Sequence, residues 1–267
     1  MAQTTNSIDK QEKKEHILSI QVRLDGFSFL IQDRISNSVV HYKNIPFKHK
    51  VDPNHLIDQL KDIYEQEQRL SQNYAHIEVI YINSLFTIVP QALFNEEHLT
   101  DYLKFNTKLL KTDFVAYDEL KGQELINVYI PYANANNFFF DQYGSFTYHH
   151  GVSVLIANCL EVIDREQHTV IVNVHPSSYD LLVIKENKLA LINSFDYQTK
   201  EDFIYYLLFT IEQLDLDPET IKLLLTGHIS KESDLYTLVY TYVREVAILP
   251  SKHEDIPQQD YLLSTLT

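Results

Sequence analysis

The chain has 267 residues, with 22 Lys and Arg against 37 Asp and Glu, which gives a formal net charge of −15 at pH 7. Hydrophobic residues make up 45% and charged residues 22%, a composition typical of a globular protein with one large or two small domains. The charge opposes binding to nucleic-acid phosphates and to anionic membrane surfaces, so we expect no nucleic-acid and no membrane partner.

The N-terminal segment lacks the apolar central region of a secretion signal, and no apolar run is long enough to span a bilayer. We therefore expect a cytoplasmic protein, with residues 1–14 as a disordered arm. The single cysteine, Cys159, excludes an intramolecular disulfide, and its apolar surroundings, VSVLIANCLEVI, favour a buried, unreactive thiol.

The first half of the chain opens with a predicted meander of three strands. Residues 17–24 alternate apolar and polar side chains, which is typical of a half-buried strand. The pair Asp25-Gly26 is the signal of a two-residue hairpin turn, and strands at about 27–32 and 38–42 follow.

Helices and strands continue after the meander. Residues 52–71 predict a helix with Asp52 as its cap and Pro53 at its first position, and HIEVIYI predicts a strand. In a less regular segment, NEEHLTDYLKFN predicts a capped helix, ELINVYIPY a strand and NANNFFFDQYG a short helix closed by Gly144. SFTYHH then predicts a strand and GVSVLIANCLEVIDR an apolar helix.

The second half repeats the opening pattern. Strands are predicted at about 169–175, 179–185 and 188–195, followed by a helix in TKEDFIYYLLFTIEQLDL with a weak capping box of Thr199 and Asp202. TIKLLLTG predicts a buried strand and KESDLYTLVYTYVREV a helix. The chain ends in a polar segment.

The repeated order of meander, helix, strand and helix predicts two pseudo-symmetric α/β lobes. In sheets of this kind, ligands bind where the turns of the two lobes face each other across a cleft. The predicted boundaries are a first lobe at 15–166 with an inserted subdomain at about 84–143, a second lobe at 167–250 and a C-terminal tail at 251–267.

Three turn motifs resemble those of the actin-like ATPase superfamily. The second phosphate loop of heat-shock chaperones reads Asp-Leu-Gly-Gly-Gly-Thr-Phe-Asp, and residues 173–180 read Asn-Val-His-Pro-Ser-Ser-Tyr-Asp. The first phosphate loop, Asp-Leu-Gly-Thr, resembles Arg-Leu-Asp-Gly at 23–26, and the adenosine motif, a strand before Gly-Gly and a Ser-capped helix, resembles LLTGHIS at 224–230.

The whole chain, over about residues 16–250, is similar to a bacterial family of uncharacterised proteins with an actin-like fold. That family is related to actin, the heat-shock chaperones, the sugar kinases and the actin-like proteins of type IV pilus assembly. The resemblance implies an α/β, actin-like ATPase (ribonuclease H-like) duplicated fold with two pseudo-symmetric lobes around a cleft.

The positions that carry ATPase chemistry in the superfamily hold other residues here. Arg23 and Asn173 stand where the resemblance implies magnesium carboxylates, and His228 replaces the second glycine of the adenosine motif. His175 and Pro176 replace glycines of the phosphate loop, and proline has no N–H to donate. The chain has only five glycines, scattered along its length.

The resemblance thus implies a degenerate cleft without ATPase chemistry, in which we expect no catalytic residue, no cofactor, no metal and no nucleotide. Its candidate lining residues are Arg23, Asp25, Asn173, His175, Ser177, Ser178, Gly227 and His228.

Several candidate residues, and two further histidines, allow two interpretations. Asp25 is either a displaced magnesium ligand or part of a hairpin turn, and we favour the turn. His175 and His228 could bind a metal or an anion, but two histidines from different motifs do not define a metal site. His149 and His150 follow each other at a strand end, so their side chains point to opposite faces, which favours structural roles.

Ser177 and Ser178 could offer a nucleophile beside His175, but no acid at a recognisable spacing orients the histidine. Hydrogen bonding within the turn is therefore the favoured interpretation. Of the three phenylalanines at 138–140, we expect at least one in the core; an exposed interaction patch is the alternative. The 18 tyrosines supply amphipathic rings for interfaces.

Three functions remain from these patterns. The first is a non-catalytic actin-like protein that acts by binding another protein. The second is a sensor of a nucleotide or small anion without hydrolysis, in which Arg23, Ser177, Ser178 and main-chain N–H groups hold a phosphate. The third is a phosphotransferase with relocated ligands, among them Asp25.

Overall fold

A computed structural model describes residues 15–105, 107, 109–110, 113–163 and 167–266. The predicted arm at 1–14 lies outside the described residues. They form two compact units, of which the first holds residues 15–119, 126–151 and 266 and the second holds residues 120–125 and 152–265.

The described residues contain strands and helices throughout both units. The strands are β1 (His16–Val22), β2 (Gly26–Asp33), β3 (Val39–Pro46), β4 (His76–Tyr81), β5 (Phe86–Pro90), β6 (Ala116–Leu120), β7 (Leu125–Tyr129), β8 (Thr147–His150), β9 (Thr169–Val174), β10 (Ser178–Lys185), β11 (Lys188–Asp196), β12 (Lys222–Gly227) and β13 (Glu245–Ile248). The α-helices are α1 (Leu56–Gln66), α2 (Leu99–Leu103), α3 (Ala133–Tyr143), α4 (Gly151–Val162), α5 (Lys200–Gln213) and α6 (Asp234–Tyr242). Short 3-10 helices lie at Gln68–Ser71, Gln91–Leu93, Glu96–His98, Gln258–Asp260 and Leu263–Thr265.

The first unit is built on a five-stranded sheet in the order β3-β2-β1-β4-β8. The first three strands form the predicted antiparallel meander, and β4 and β8 add parallel strands. Apolar residues from one face of the sheet pack with helices α1 and α3 into a single core. Phe139 lies fully buried in that core and Phe140 is exposed, which confirms that the triple-phenylalanine run turns a ring inward.

The second unit repeats this topology in a sheet of order β11-β10-β9-β12-β13. Its meander is again antiparallel, and β12 and β13 are again parallel additions. Helices α5 and α6 contribute to its core. The identical strand order confirms the duplication that the sequence repeat predicted.

A smaller sheet, in the order β5-β7-β6, has its own apolar cluster. The cluster includes Val89, Leu103, Ile126 and Val128. Leu103 comes from α2, whose preceding turn is capped by the Asn95 side chain accepting the Glu97 N–H at 3.0 Å. The predicted helix is therefore present but short, and the cap lies on the 3-10 helix Glu96–His98 that precedes it, since α2 itself has no side-chain cap.

Strand β1 differs from its predicted half-burial. The polar residues Ser19 and Gln21 are as buried as Ile20 and Val22, so both faces of the strand are covered. The strand lies between β2 and β4, inside the sheet. Alternation in the sequence identified the strand correctly but not the burial of its polar face.

The first hairpin turn is centred one residue earlier than predicted. The Arg23 N–H donates to the Gly26 carbonyl at 3.0 Å, which makes Leu24 and Asp25 the two loop residues. Gly26 is the first residue of β2, with its Cβ position 3.2 Å from Arg23 Nη2. Gly26 has no special backbone angle, and a Cβ there would be close to the flexible end of the Arg23 side chain.

Two predicted helices are shorter than their patterns. The Asp52 carboxylate accepts the N–H groups of Asn54 and His55 at 2.8 and 3.2 Å, so it caps a turn, and α1 begins only at Leu56. Helix α6 ends at Tyr242, because the main chain of β13 pairs with β12 immediately afterwards. The predicted helical residues Glu245 and Val246 are therefore strand residues.

The segment after β13 packs onto the second unit. Tyr261, Leu262 and Leu263 are buried, and Gln258 Nε2 donates to Thr226 Oγ1 at 2.6 Å. Among the described helices, none combines the length and the apolar composition that crossing a bilayer requires.

Candidate functional site

The candidate residues divide between the two units. Arg23 and Asp25 lie in the first unit, and the other six candidates lie in the second. In the second unit the His175 N–H donates to the Ser178 carbonyl at 2.8 Å, so Pro176 and Ser177 form a two-residue turn. The first hairpin is closed by the equivalent hydrogen bond, from the Arg23 N–H to the Gly26 carbonyl.

The turn in the second unit is backed by a buried polar cluster around Asp180. His175 Nε2 lies 2.9 Å from Asp180 Oδ2, and Asn173 Nδ2 donates to the same oxygen at 3.3 Å. The hydroxyl of Ser194 donates to Asp180 Oδ1 at 2.5 Å. We call Asn173, His175, Asp180 and Ser194 the Asp180 cluster.

Strand register explains the Asp180 cluster. Asp180 on β10 lies directly opposite Asn173 on β9 and Ser194 on β11. Residues opposite each other in antiparallel strands point to the same face, so the three side chains meet. All but Ser194 are buried, and buried polar groups are stable only when they are hydrogen-bonded.

Sequence reasoning missed Asp180, although the signal was present. It is the last residue of the octapeptide 173–180 that resembles the chaperone phosphate loop. The expectation that no acid orients His175 is wrong, because Asp180 does so. The serines of this turn contribute main-chain acceptors: the Ser178 carbonyl accepts from His175 and the Ser177 carbonyl from Tyr197, at 2.8 and 3.0 Å.

Gly227 brings the main chain of β12 against the end of β9. Its φ is +81°, and a Cβ there would lie 2.2 Å from the Val174 oxygen and 2.7 Å from Asn173 Oδ1. The next residue, His228, donates its N–H to the same Val174 oxygen at 2.7 Å, and the Ile229 N–H donates to the Gly227 carbonyl at 2.8 Å. The space that the glycine opens is filled by the protein's own main chain.

In the first unit, the candidate carboxylate is paired within its own turn. Arg23 Nε donates to Asp25 Oδ1 at 2.8 Å, and the Asp25 carbonyl accepts the Phe47 N–H at 2.9 Å. Both contacts support the interpretation of Asp25 as a turn residue.

The adjacent histidines of β8 bind different partners. His149 Nδ1 lies 3.0 Å from Asp118 Oδ1, with Glu78 Oε1 3.6 Å from its Nε2, whereas His150 Nε2 lies 3.1 Å from the Asn83 carbonyl. The hydrogen bond to Asp118 raises the pKa of His149 against the opposing effect of burial. Within the described residues, no group of three or more His, Cys, Asp or Glu is arranged to hold a metal ion.

Residues 4–246 match the family of proteins of unknown function DUF3822. The chain belongs to this family. A Bacteroides thetaiotaomicron protein with an actin-like ATPase fold and unknown function is similar in structure, with a TM-score of 0.84 and 24% sequence identity over 96% of this chain and 98% of that one. The DUF3822 chain therefore has an actin-like fold.

A second solved structure with this fold is that of the PilM–PilN type IV pilus biogenesis complex. Its TM-score is 0.56 at 11% identity, over 94% of this chain and 98% of that one. Identities this low show a shared fold alone. No curated protein sequence matches the chain.

Proposed function

We propose that this DUF3822 protein is a non-catalytic actin-like protein that acts by binding another protein. The observation that carries the proposal is that main-chain N–H groups at the candidate site already donate hydrogen bonds within the protein. An anion site needs main-chain N–H groups that point at the ligand. Those of His175 and His228 donate to carbonyls of the protein, and Pro176 has none.

The carboxylates near the two hairpin turns support the same proposal. The Asp25 carboxylate is neutralised by Arg23, and the Asp180 carboxylate accepts hydrogen bonds from buried groups. Magnesium in nucleotide sites is held by carboxylates together with substrate phosphates and waters. In our proposal the Asp25 and Asp180 carboxylates do not bind Mg²⁺ together with ATP. The Asp180 cluster instead stabilises the fold.

Binding of a protein is supported by the surface of the second unit. Large aromatic side chains of α5 are exposed, namely Tyr205, Tyr206 and Phe209. Tyrosine and phenylalanine are enriched in protein interfaces. The fold also occurs in a protein assembly, since the PilM structure is that of a complex with PilN.

The test measures phosphate release from ATP with Mg²⁺, together with the melting temperature of the protein at millimolar ATP. We expect no release above that of a buffer control and no change in melting temperature, because a ligand that binds only the folded state must raise it. A raised melting temperature that Arg23→Ala or Asn173→Ala abolishes would replace the proposal with a nucleotide sensor. Sustained release that Asp25→Asn abolishes would replace it with a phosphotransferase.

A further inference from the structure

Four aromatic rings form a continuous row on the surface of the second unit. Phe195 stacks on Tyr206 with centroids 5.2 Å apart and planes at 15°, and Tyr206 meets Tyr205 edge-on at 5.3 Å. Tyr205 in turn stacks on Phe209 at 6.0 Å and 16°. We call Phe195, Tyr206, Tyr205 and Phe209 the aromatic ladder.

The three ladder residues of α5 are exposed because of its helical period, whereas Phe195 on β11 is half-buried. Phe203, Leu207 and Ile211 turn toward the sheet and are buried. Tyr205 and Phe209, one turn apart, therefore lie on the outer face, with 61% and 46% of their surface exposed. Tyr206 is 37% exposed. A contiguous exposed aromatic surface of this kind is typical of a binding site.

The charged residues on the helical face of α5 that holds Tyr205 and Phe209 have one sign. Glu201 precedes Tyr205 by four residues, and Glu212 follows Phe209 by three, so both carboxylates lie on the same helical face as the rings. Lys200 lies one turn before the buried Ile204, on a different stripe of the helix. The whole chain carries a net charge of −15.

We propose that the aromatic ladder binds a basic segment of a partner protein; this rests on the proposed function and gives it a place and a partner chemistry. Lysine and arginine side chains are attracted to the faces of aromatic rings. Glu201 and Glu212 supply carboxylates on either side of the Tyr205–Phe209 pair along α5, and the apolar stems of the basic residues cover the rings. The negative charge of the protein steers such a segment toward it.

The experiment selects peptides from a random twelve-residue library displayed on phage, with the full-length protein as the target. The selected peptides are synthesised, and their dissociation constants are measured for the wild-type protein and for matched variants. We expect selected peptides to carry net positive charge with a large apolar residue beside Lys or Arg.

The aromatic arm compares Tyr205→Ala/Phe209→Ala with Tyr240→Ala. Tyr240 is also 61% exposed and also stacks on a tyrosine one turn away, Tyr236, with centroids at 6.1 Å and planes at 14°. We expect at least tenfold weaker binding in the ladder variant and unchanged binding in the Tyr240 variant. Peptides that bind the ladder variant as tightly as the wild type overturn the proposal.

The charge arm compares Glu201→Lys/Glu212→Lys with Glu254→Lys/Asp255→Lys, which changes the net charge equally at exposed positions of the same unit. We expect at least tenfold weaker binding for the first variant only. Equal losses in both would mean general attraction to an acidic protein, and would overturn the proposed site.

Three further outcomes also overturn the proposal: no enrichment from the library, enrichment of acidic peptides, and a dimer of the protein alone that Tyr205→Ala dissociates in sedimentation equilibrium. None of these outcomes changes the result of an ATP titration. The experiments therefore distinguish failure of the proposed binding site from failure of the proposed non-catalytic function.

Discussion

Asp180 fixes the ring of His175 by a contact of 2.9 Å between Asp180 Oδ2 and His175 Nε2. The two residues lie on either side of the two-residue turn of Pro176 and Ser177, within the octapeptide 173–180 that resembles the chaperone phosphate loop. The pair, with Asn173 and Ser194, occupies the buried face beneath that turn. The hydrogen bonds of Asp180 therefore connect the turn to the two strands on either side of β10.

Removal of the Asp180 carboxylate will destabilise the fold. Asp180→Ala leaves the buried His175 and Asn173 without this acceptor, and each buried unsatisfied polar group costs about 1–3 kcal/mol. We expect a loss of about 3 kcal/mol in the free energy of unfolding, measured with urea. The control, Asp196→Ala, removes an exposed carboxylate from the adjacent strand and should cost less than about 0.5 kcal/mol. Equal stability of the two variants would contradict the account of the cluster.

Gly227 is required by close packing and not by its backbone angle alone. Gly227→Ala would place a Cβ 2.2 Å from the Val174 oxygen, so we expect destabilisation by at least about 3 kcal/mol. Gly122 has a similar φ, +78°, with no atom within 4 Å of its Cβ position. Gly122→Ala should therefore cost only about 1 kcal/mol. Thermal unfolding of both variants measures the difference in stability. Equal losses of stability would show that backbone strain, and not close packing, determines the cost of replacing Gly227.

The stability of the protein will fall with rising pH through the titration of His149. The hydrogen bond to Asp118 raises the pKa of His149 in the folded state, with the charges of Asp118 and Glu78 acting in the same direction. A group with a raised folded-state pKa contributes fully below its unfolded pKa of about 6.5, and the contribution is lost as pH rises through the folded value.

The measurement is urea unfolding at a series of pH values from 6 upward. We expect the decline to be smaller in His149→Gln, and an NMR titration should show a lower His149 pKa in Asp118→Asn. The contribution is small because the imidazole is partly exposed and therefore screened by solvent. The same pH dependence in wild type and His149→Gln would refute the assignment.

The Cys159 thiol will be unreactive while the protein is folded. Burial raises the pKa of Cys159 to about 12, and the side chain is fully buried in α4. Because the thiolate is the reactive form, we expect an aromatic disulfide reagent at pH 8 to label the single thiol only after unfolding in guanidinium. Rapid labelling of the native protein would contradict the buried position.

Much of the fold could be predicted because it depends on local signals. Hydrophobic alternation located the meanders, and Thr199 with Asp202 marked the start of α5, where both hydrogen bonds of a capping box are present. Element ends were predicted less well. The end of α6 depends on the pairing of Val246 with Leu223, a contact between residues distant in sequence.

The interior of the candidate site could not be predicted. Asp180 contacts Ser194, fourteen residues away, through a register that no local pattern specifies. The row from Phe195 to Phe209 was also missed, because it joins a strand to a helix. An inspection of exposed positions on the predicted helix would have found Tyr205 and Phe209 at a spacing of four.

Calorimetric titration of the protein with ATP and Mg²⁺, with ADP as a companion, tests the central claim most directly. Since the N–H groups of His175 and His228 donate within the protein, we predict no saturable heat up to millimolar nucleotide. Saturable binding at micromolar concentration would contradict the account.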